Sequence, residues 1–180
     1  MRGYFGIGVE GISKSMNLGS LWRTAHAFGA AFVFTLGATY ERRLGERADT
    51  SKSSGEVPLY EFACLESFRL PRGCSLVGIE LLDDAVALPS FPHPRQAAYV
   101  LGPERGGLSP ALLARCAHVV KIPTKFSVNL ALAGAIVMYD RLLSLGRFAE
   151  RPLLAGQAAV PLPPPVFGAP IRRRKASAAS

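Results

Sequence analysis

Three stretches of the sequence combine small, polar and charged residues at spacings that could bind or transform a ligand. In Asn17-Leu-Gly19-Ser-Leu-Trp-Arg23-Thr-Ala25 the glycine stands four residues before the arginine, on one face of a helix. The Arg23 stem can then lie back toward the helix N-terminus, or a ligand backbone can enter where Gly19 has no side chain. N–H groups at a helix start favour an anion; equally, the segment reads as a helix capped by Asn17 with one exposed arginine. In Leu101-Gly-Pro-Glu104-Arg-Gly-Gly-Leu-Ser109, three glycines and a proline follow an apolar run. That composition gives a tight, backbone-exposing loop at the carboxyl end of a strand, where open α/β sheets bind ligands and where Glu104 can accept hydrogen bonds. It also fits a plain strand-to-helix turn. In Ile122-Pro-Thr-Lys-Phe-Ser127-Val-Asn129, the two polar residues can cap the helix that follows or orient a small polar ligand.

Other candidate signals are weaker. Gly6, Gly8 and Gly11 spell a dinucleotide fingerprint, but only five residues precede Gly6 and no acid stands twenty residues after Gly11. These glycines are expected to let a neighbouring backbone approach a strand, and a nicotinamide-dependent oxidoreductase is the poorest of three readings. Cys64, Cys74 and Cys116 are odd in number and lack metal spacing, so they are expected to be buried or half-buried fillers. No metal is expected. His26 reads as a helix-surface residue, and His93, between two prolines, as a turn residue.

The elements that must position these residues alternate in type. Tyr4–Val9, Ala31–Leu36, Ser75–Leu81, Ala97–Leu101 and His118–Ile122 are apolar runs of strand length. Leu18–Phe28 has helical spacing, with Asn17 as N-cap and Gly29 as stop; Ser109-Pro110 opens a short helix; and a nearly all-apolar helix runs from about Val128 to Leu145. Buried strands interleaved with helices predict an α/β domain, a mostly parallel sheet with helices on both faces.

The chain has 180 residues, 49% of them hydrophobic, which suffices for one core and excludes disorder throughout. Its 21 Lys+Arg against 13 Asp+Glu give +8, but five of the basic residues and no acid lie in residues 151–180, beside six of the 14 prolines. The sequence therefore divides into a folded body, 1–150, and a Pro-rich, basic, flexible tail, 151–180. Within the body, Tyr40–Gly55 with Arg42, Arg43, Arg47 and Lys52 reads as a long exposed loop, either functional or disordered. The N-terminus lacks the apolar run of a signal peptide, and the longest apolar run, Leu130–Tyr139, is about half of a membrane span, so a cytoplasmic protein without membrane partners is expected.

In their order, N-x-G-x-x-x-R-x-A, L-G-P-E-x-x-G-L-S and I-P-(gap)-S-x-N before an apolar helix, the three stretches resemble the SpoU (TrmH) family of the SPOUT superfamily. Members are S-adenosylmethionine (AdoMet)-dependent RNA ribose 2′-O-methyltransferases, and the resemblance covers Tyr4 to Arg147. It implies a C-terminal deep trefoil knot and a homodimer. It implies a cofactor pocket built by Gly78–Glu80, Leu101–Gly107 and Ile122–Leu130, with Ile79, Leu101, Gly102, Ile122, Ser127 and Leu130 at the cofactor. Arg23, Asn17, Glu104 and Asn129 would form the catalytic group, with Arg23 holding phosphate and stabilising negative charge. The chain resembles a minimal form without an N-terminal RNA-binding extension, so tRNA is favoured over rRNA, and no DNA partner is expected. The Arg172–Lys175 cluster would add nonspecific RNA affinity. One departure stands out: only three residues separate Pro123 from Ser127, and Val128 replaces the usual Leu or Met. The alternative reading is a noncatalytic RNA-binding or assembly factor that keeps the fold.

Overall fold

The computed structural model describes residues 3–39, 55–146 and 148–164. The Tyr40–Gly55 loop, apart from Gly55, and the Arg172–Lys175 cluster lie outside them. The chain divides into two units, Met1–Gly146 and Arg147–Ser180; in the second, residues 148–164 carry neither helix nor strand.

The first unit is built on a seven-stranded sheet in which every pairing is parallel. The strands are β1 (Tyr4–Glu10), β2 (Phe32–Leu36), β3 (Leu59–Phe62), β4 (Ser75–Ile79), β5 (Val86–Ala87), β6 (Gln96–Leu101) and β7 (His118–Lys121), in the order β3-β2-β1-β6-β4-β7-β5. The central strands are apolar on both faces because both faces are covered. Helices α1 (Ser15–Ala27) and α3 (Leu130–Leu145) pack on one face over Ile7, Val9, Val77, Tyr99 and Leu101. On the other face Phe32, Phe34, Phe68, Ala98 and Val100 form a second cluster with Leu112 of the short helix α2 (Pro110–Leu113). Ser109 caps α2, its hydroxyl accepting from the Leu112 N–H.

The two strands the sequence did not announce, β3 and β5, are the two edges. They are short and half-exposed, as edge strands commonly are, so they leave no continuous apolar run to read. Inside the sheet, the glycines of the fingerprint meet a ring as well as a backbone. A Cβ at Gly6 would lie 2.2 Å from the Phe32 ring, and one at Gly8 2.4 Å from the Phe34 carbonyl oxygen. Neither glycine sits in a nucleotide-binding turn; both lie within β1. Gly134 plays the same part between helices, where a Cβ would stand 2.4 Å from Leu21 Cδ1.

His93 is not a solvated turn residue. It is buried, with Nε2 2.8 Å from Asp140 Oδ2 and Nδ1 2.6 Å from the Tyr99 hydroxyl. Asp140 can only accept, so Nε2–H donates to it and Nδ1 accepts from Tyr99. The buried Arg141 donates to Tyr99 and to the carbonyls of Pro94, Arg95 and Tyr4, tying α3 to the entrance of β6. Burial holds His93 below its ordinary pKa against the pull of Asp140. Gly8→Ala should destabilise the fold by about 1–3 kcal/mol, since the added carbon meets backbone that cannot swing aside; an unchanged urea midpoint would contradict this packing.

Candidate active site

β6 lies between β1 and β4, and an acid at the end of each flanking strand reaches the loop that leaves it. Glu10, the last residue of β1, accepts from the Ser109 N–H at 2.7 Å and the Ser109 hydroxyl at 2.6 Å. Glu80, directly after β4, accepts from the Leu108 N–H at 2.7 Å and the Leu81 N–H at 3.0 Å. The loop folds back tightly between them. A Cβ at Gly102 would be 3.0 Å from Leu108 N, and one at Gly107 2.7 Å from Glu80 Oε2. Gly102 lets the backbone of Gly107 and Leu108 close over it, and Gly107 leaves room for the Glu80 carboxylate.

A second set of contacts joins the three polar stretches. The Asn17 amide nitrogen donates to Glu104 Oε1 at 2.9 Å, Ser13 Oγ to Glu104 Oε2 at 3.3 Å, and the Asn129 amide nitrogen to Asn17 Oδ1 at 3.2 Å. Asn129 Oδ1 in turn accepts from the N–H groups of Ala131 and Leu132, capping α3. The N-cap role expected for Asn129 is thus observed. That for Asn17 is not: α1 begins three residues earlier than expected, its N-cap is Lys14 without a side-chain cap, and the Asn17 amide is engaged by Glu104 and Asn129 instead. Partial burial pushes the Glu104 carboxyl up, but hydrogen bonds from Asn17, its own backbone and Ser13 outweigh it and hold the group below the ordinary carboxylate range.

Between these loops lies an open cleft. Ile79, Leu101, Gly102, Glu104, Ile122, Ser127 and Leu130 all line it, joined by Glu80, Leu81, Pro103, Gly106, Thr124, Val128 and Ala133. The short segment after Pro123 is a compact turn, with the Thr124 N–H donating to the Ile122 carbonyl at 2.8 Å and its hydroxyl to the Phe126 carbonyl at 2.9 Å. Arg23 is exposed on α1 and is not among the lining residues. It stands six residues beyond Asn17, about 9 Å further along the helix axis.

Sequence reasoning missed Glu10 and Glu80 as supports of the loop. The available signal was an acid closing each of two apolar runs, Val9-Glu10 and Ile79-Glu80, but only the sheet order places both beside β6. Cys116 is half-buried and its thiol is pushed up to about 11 by burial, which suits a filler rather than a nucleophile; Cys74 is also half-buried, whereas Cys64 is exposed, contrary to expectation. Among the described residues no group of three or more His, Cys, Asp or Glu could hold a metal ion, and no helix is long and apolar enough to cross a membrane.

Because Glu104 is held below its ordinary pKa, its hydrogen bonds contribute stability above the unfolded carboxylate pKa, and that contribution is lost as pH falls through the folded value. Asn17→Ala should therefore lower the urea midpoint most at neutral pH, with the gap to wild type narrowing toward pH 3. A constant gap would show that Glu104 is not the group through which Asn17 stabilises the fold.

The family model described as the SpoU rRNA Methylase family matches residues 5–139. No curated protein matches the chain. Among solved structures, the AdoMet-bound rRNA methyltransferase from Sinorhizobium meliloti is similar at 23% identity and a TM-score of 0.72, over 82% of this chain and 59% of that one. The SpoU methyltransferase AviRb from Streptomyces viridochromogenes, in complex with AdoMet, is similar at 23% identity and a TM-score of 0.68, over 79% and 61%. A structure described for the 2-OH methylation of C/U34 on tRNA is similar at 23% identity and a TM-score of 0.69, over 81% of this chain and 98% of that one. The chain spans about three fifths of the length of the first two. Since the family match runs through the sheet, through α1 and most of α3, and through every segment that lines the cleft, the chain belongs to the SpoU rRNA methylase family.

Proposed function

We propose that the protein transfers a methyl group from AdoMet to a ribose 2′-hydroxyl of RNA. The observation that carries this reading is the joining of Asn17, Glu104 and Asn129, from three distant segments, at the wall of a cleft lined by all six residues expected at the cofactor. The residues present suit that cofactor. Leu101, Ile122 and Leu130 offer apolar surface to a nucleoside, the glycine loop offers bare backbone, and Glu80 and Glu104 offer negative charge to a cation.

When bound, the cofactor supplies a methyl carried on a sulfonium. A ribose hydroxyl that accepted this methyl would have to give up its proton, which in this open cleft would pass to water. A neutral hydroxyl is a poor nucleophile, so the protein must stabilise negative charge developing on oxygen. We assign that role to Arg23, whose positively charged guanidinium acts by charge and by holding phosphate. Asn17 and Glu104 order the substrate side, and Ser127 and Asn129 shape the boundary between cofactor and target ribose.

Arg23 reaches a cleft in this reading through a homodimer. Leu132, Ile136, Tyr139 and Leu143 recur at helical spacing along α3 and are all exposed, Leu132 by 60% and Tyr139 by 49%. That exposed stripe supports a dimer in which a second copy would cover it, and α1, which packs against α3, carries the exposed Met16 and Arg23. The reading includes a C-terminal trefoil knot. It is supported by the course of the chain, which leaves β6 for β7 on the far side of β4 and returns with α3 to pack on α1. We favour tRNA over rRNA as substrate, because the chain matches nearly the full length of the structure described for tRNA methylation. We further propose that residues 1–150 form the catalytic domain and that the basic tail, 151–180, adds salt-sensitive RNA affinity in the cytoplasm.

Arg23→Ala should abolish methyl transfer to bulk tRNA while AdoMet binding, read by calorimetry, survives. Loss of binding instead would show that Arg23 belongs to the cofactor side. A wild type inactive on both tRNA and rRNA would favour the noncatalytic alternative. Ile136→Glu should convert the dimer to monomer by light scattering and abolish transfer with it; a fully active monomer would sink the assignment of Arg23 to the partner's cleft.

A further inference from the structure

The cleft is lined by two carboxylates, Glu80 and Glu104, and among the described residues no lysine, arginine or histidine lines it. The groups that meet these carboxylates are neutral. Glu80 takes the backbone N–H groups of Leu81 and Leu108, and Glu104 the Asn17 amide and the Ser13 hydroxyl. Neutral donors keep a carboxylate ionised without cancelling its charge. Glu104 is held below the ordinary carboxylate range by its donors, so it is charged at neutral pH. The site thus presents two negative charges to whatever enters it.

We propose that these carboxylates make the cleft discriminate by charge between the methyl-bearing sulfonium and the thioether left after transfer, with Glu80 as a specificity-determining residue. The inference rests on the AdoMet reading above. At neutral pH the sulfonium cofactor carries a net charge of plus one, from its ammonium, carboxylate and sulfonium. S-adenosylhomocysteine, lacking the methyl, carries none. The two are otherwise nearly the same shape, so apolar walls and backbone hydrogen bonds grip both, and only a fixed charge separates them strongly. Transfer therefore removes the charge that the carboxylates hold, and the product is weakened in the site by the reaction itself. Glu80 also holds the glycine loop, so its removal loosens the site for every ligand. A loosened loop weakens both ligands together, whereas a lost charge changes their ratio.

The test is calorimetric, on the full-length protein, with S-adenosylmethionine, S-adenosylhomocysteine and sinefungin, which bears an ammonium in place of the sulfonium. In 20 mM NaCl the two cationic ligands should bind about 3- to 30-fold more tightly than S-adenosylhomocysteine, the range expected for a unit charge several ångströms from a carboxylate in a half-exposed site. Raising NaCl to 500 mM should shrink that ratio, because screening acts on the charge and not on the shape. Glu80→Gln should bring the ratio down at least about threefold, while Glu80→Asp, which keeps the charge, should retain it even if all three ligands bind more weakly. A wild-type ratio of one or below, a ratio indifferent to salt, or a ratio unchanged in Glu80→Gln would each overturn the proposal. Should Glu80→Gln fail to fold, the salt series on wild type decides alone. A wild type that binds none of the three ligands overturns the cofactor reading, and this inference falls with it; binding of all three without discrimination overturns the inference only.

Discussion

A carboxylate can only accept hydrogen bonds, and that restriction at Glu104 sets the geometry around it. Because Glu104 can only accept a hydrogen bond, Asn17 turns its nitrogen toward it and its oxygen away. The oxygen then receives the Asn129 nitrogen, and the Asn129 oxygen is left for the first N–H groups of α3. One anionic group thus fixes two amide orientations and the start of a helix. Each contact is an ordinary hydrogen bond, worth on the order of 1 kcal/mol net. Linked in one direction, they join the glycine loop, α1 and α3, which no single segment could align.

The sheet order gives this arrangement its place. β6 enters between β1 and β4, so its exit loop is flanked by the ends of two strands far apart in sequence, and each end carries an acid. Glu10 and Glu80 hold the loop from opposite sides through its backbone N–H groups, leaving the glycines free of side chains where the chain folds back. The cleft forms at the carboxyl edge of the sheet because all strands point that way and their exit loops converge there. On the helical face, Gly134 lets α3 sit close on Leu21, which brings the helix starts near enough for Asn17 and Asn129 to meet.

Much of this was legible from residues alone. Apolar runs announced β1, β2, β4, β6 and β7, because central parallel strands are covered on both sides and cannot alternate with polar residues. Edge strands β3 and β5 carry no such signature. The residues expected at the cofactor line one cleft, but Glu10 did not come with them, and Glu80 came only as the end of an expected pocket segment, not as a support of the loop. Glu10 and Glu80 matter through strand adjacency, and adjacency is absent from a linear sequence. Asn17 shows the converse error. Its type and place before a helical stripe satisfied the rule for a cap, yet a charged acceptor more than eighty residues away outcompeted the local backbone for its amide. His93 was read as a turn residue because prolines flank it, and no local pattern indicates that Asp140 and Tyr99 will receive it in the interior.

The pairing of Tyr4 with Gln96 at the centre of the sheet also bears on how the protein is made. During synthesis, β1 leaves the ribosome with one edge open and can close it only after about ninety more residues, which at 5–20 residues per second is a delay of roughly 5–20 s. Throughout that interval Phe5, Ile7 and Val9 lack the cover that β6, β7 and α3 later give them. The middle of the sheet therefore closes only when β6 arrives, and the far side only when β7 enters between β4 and β5.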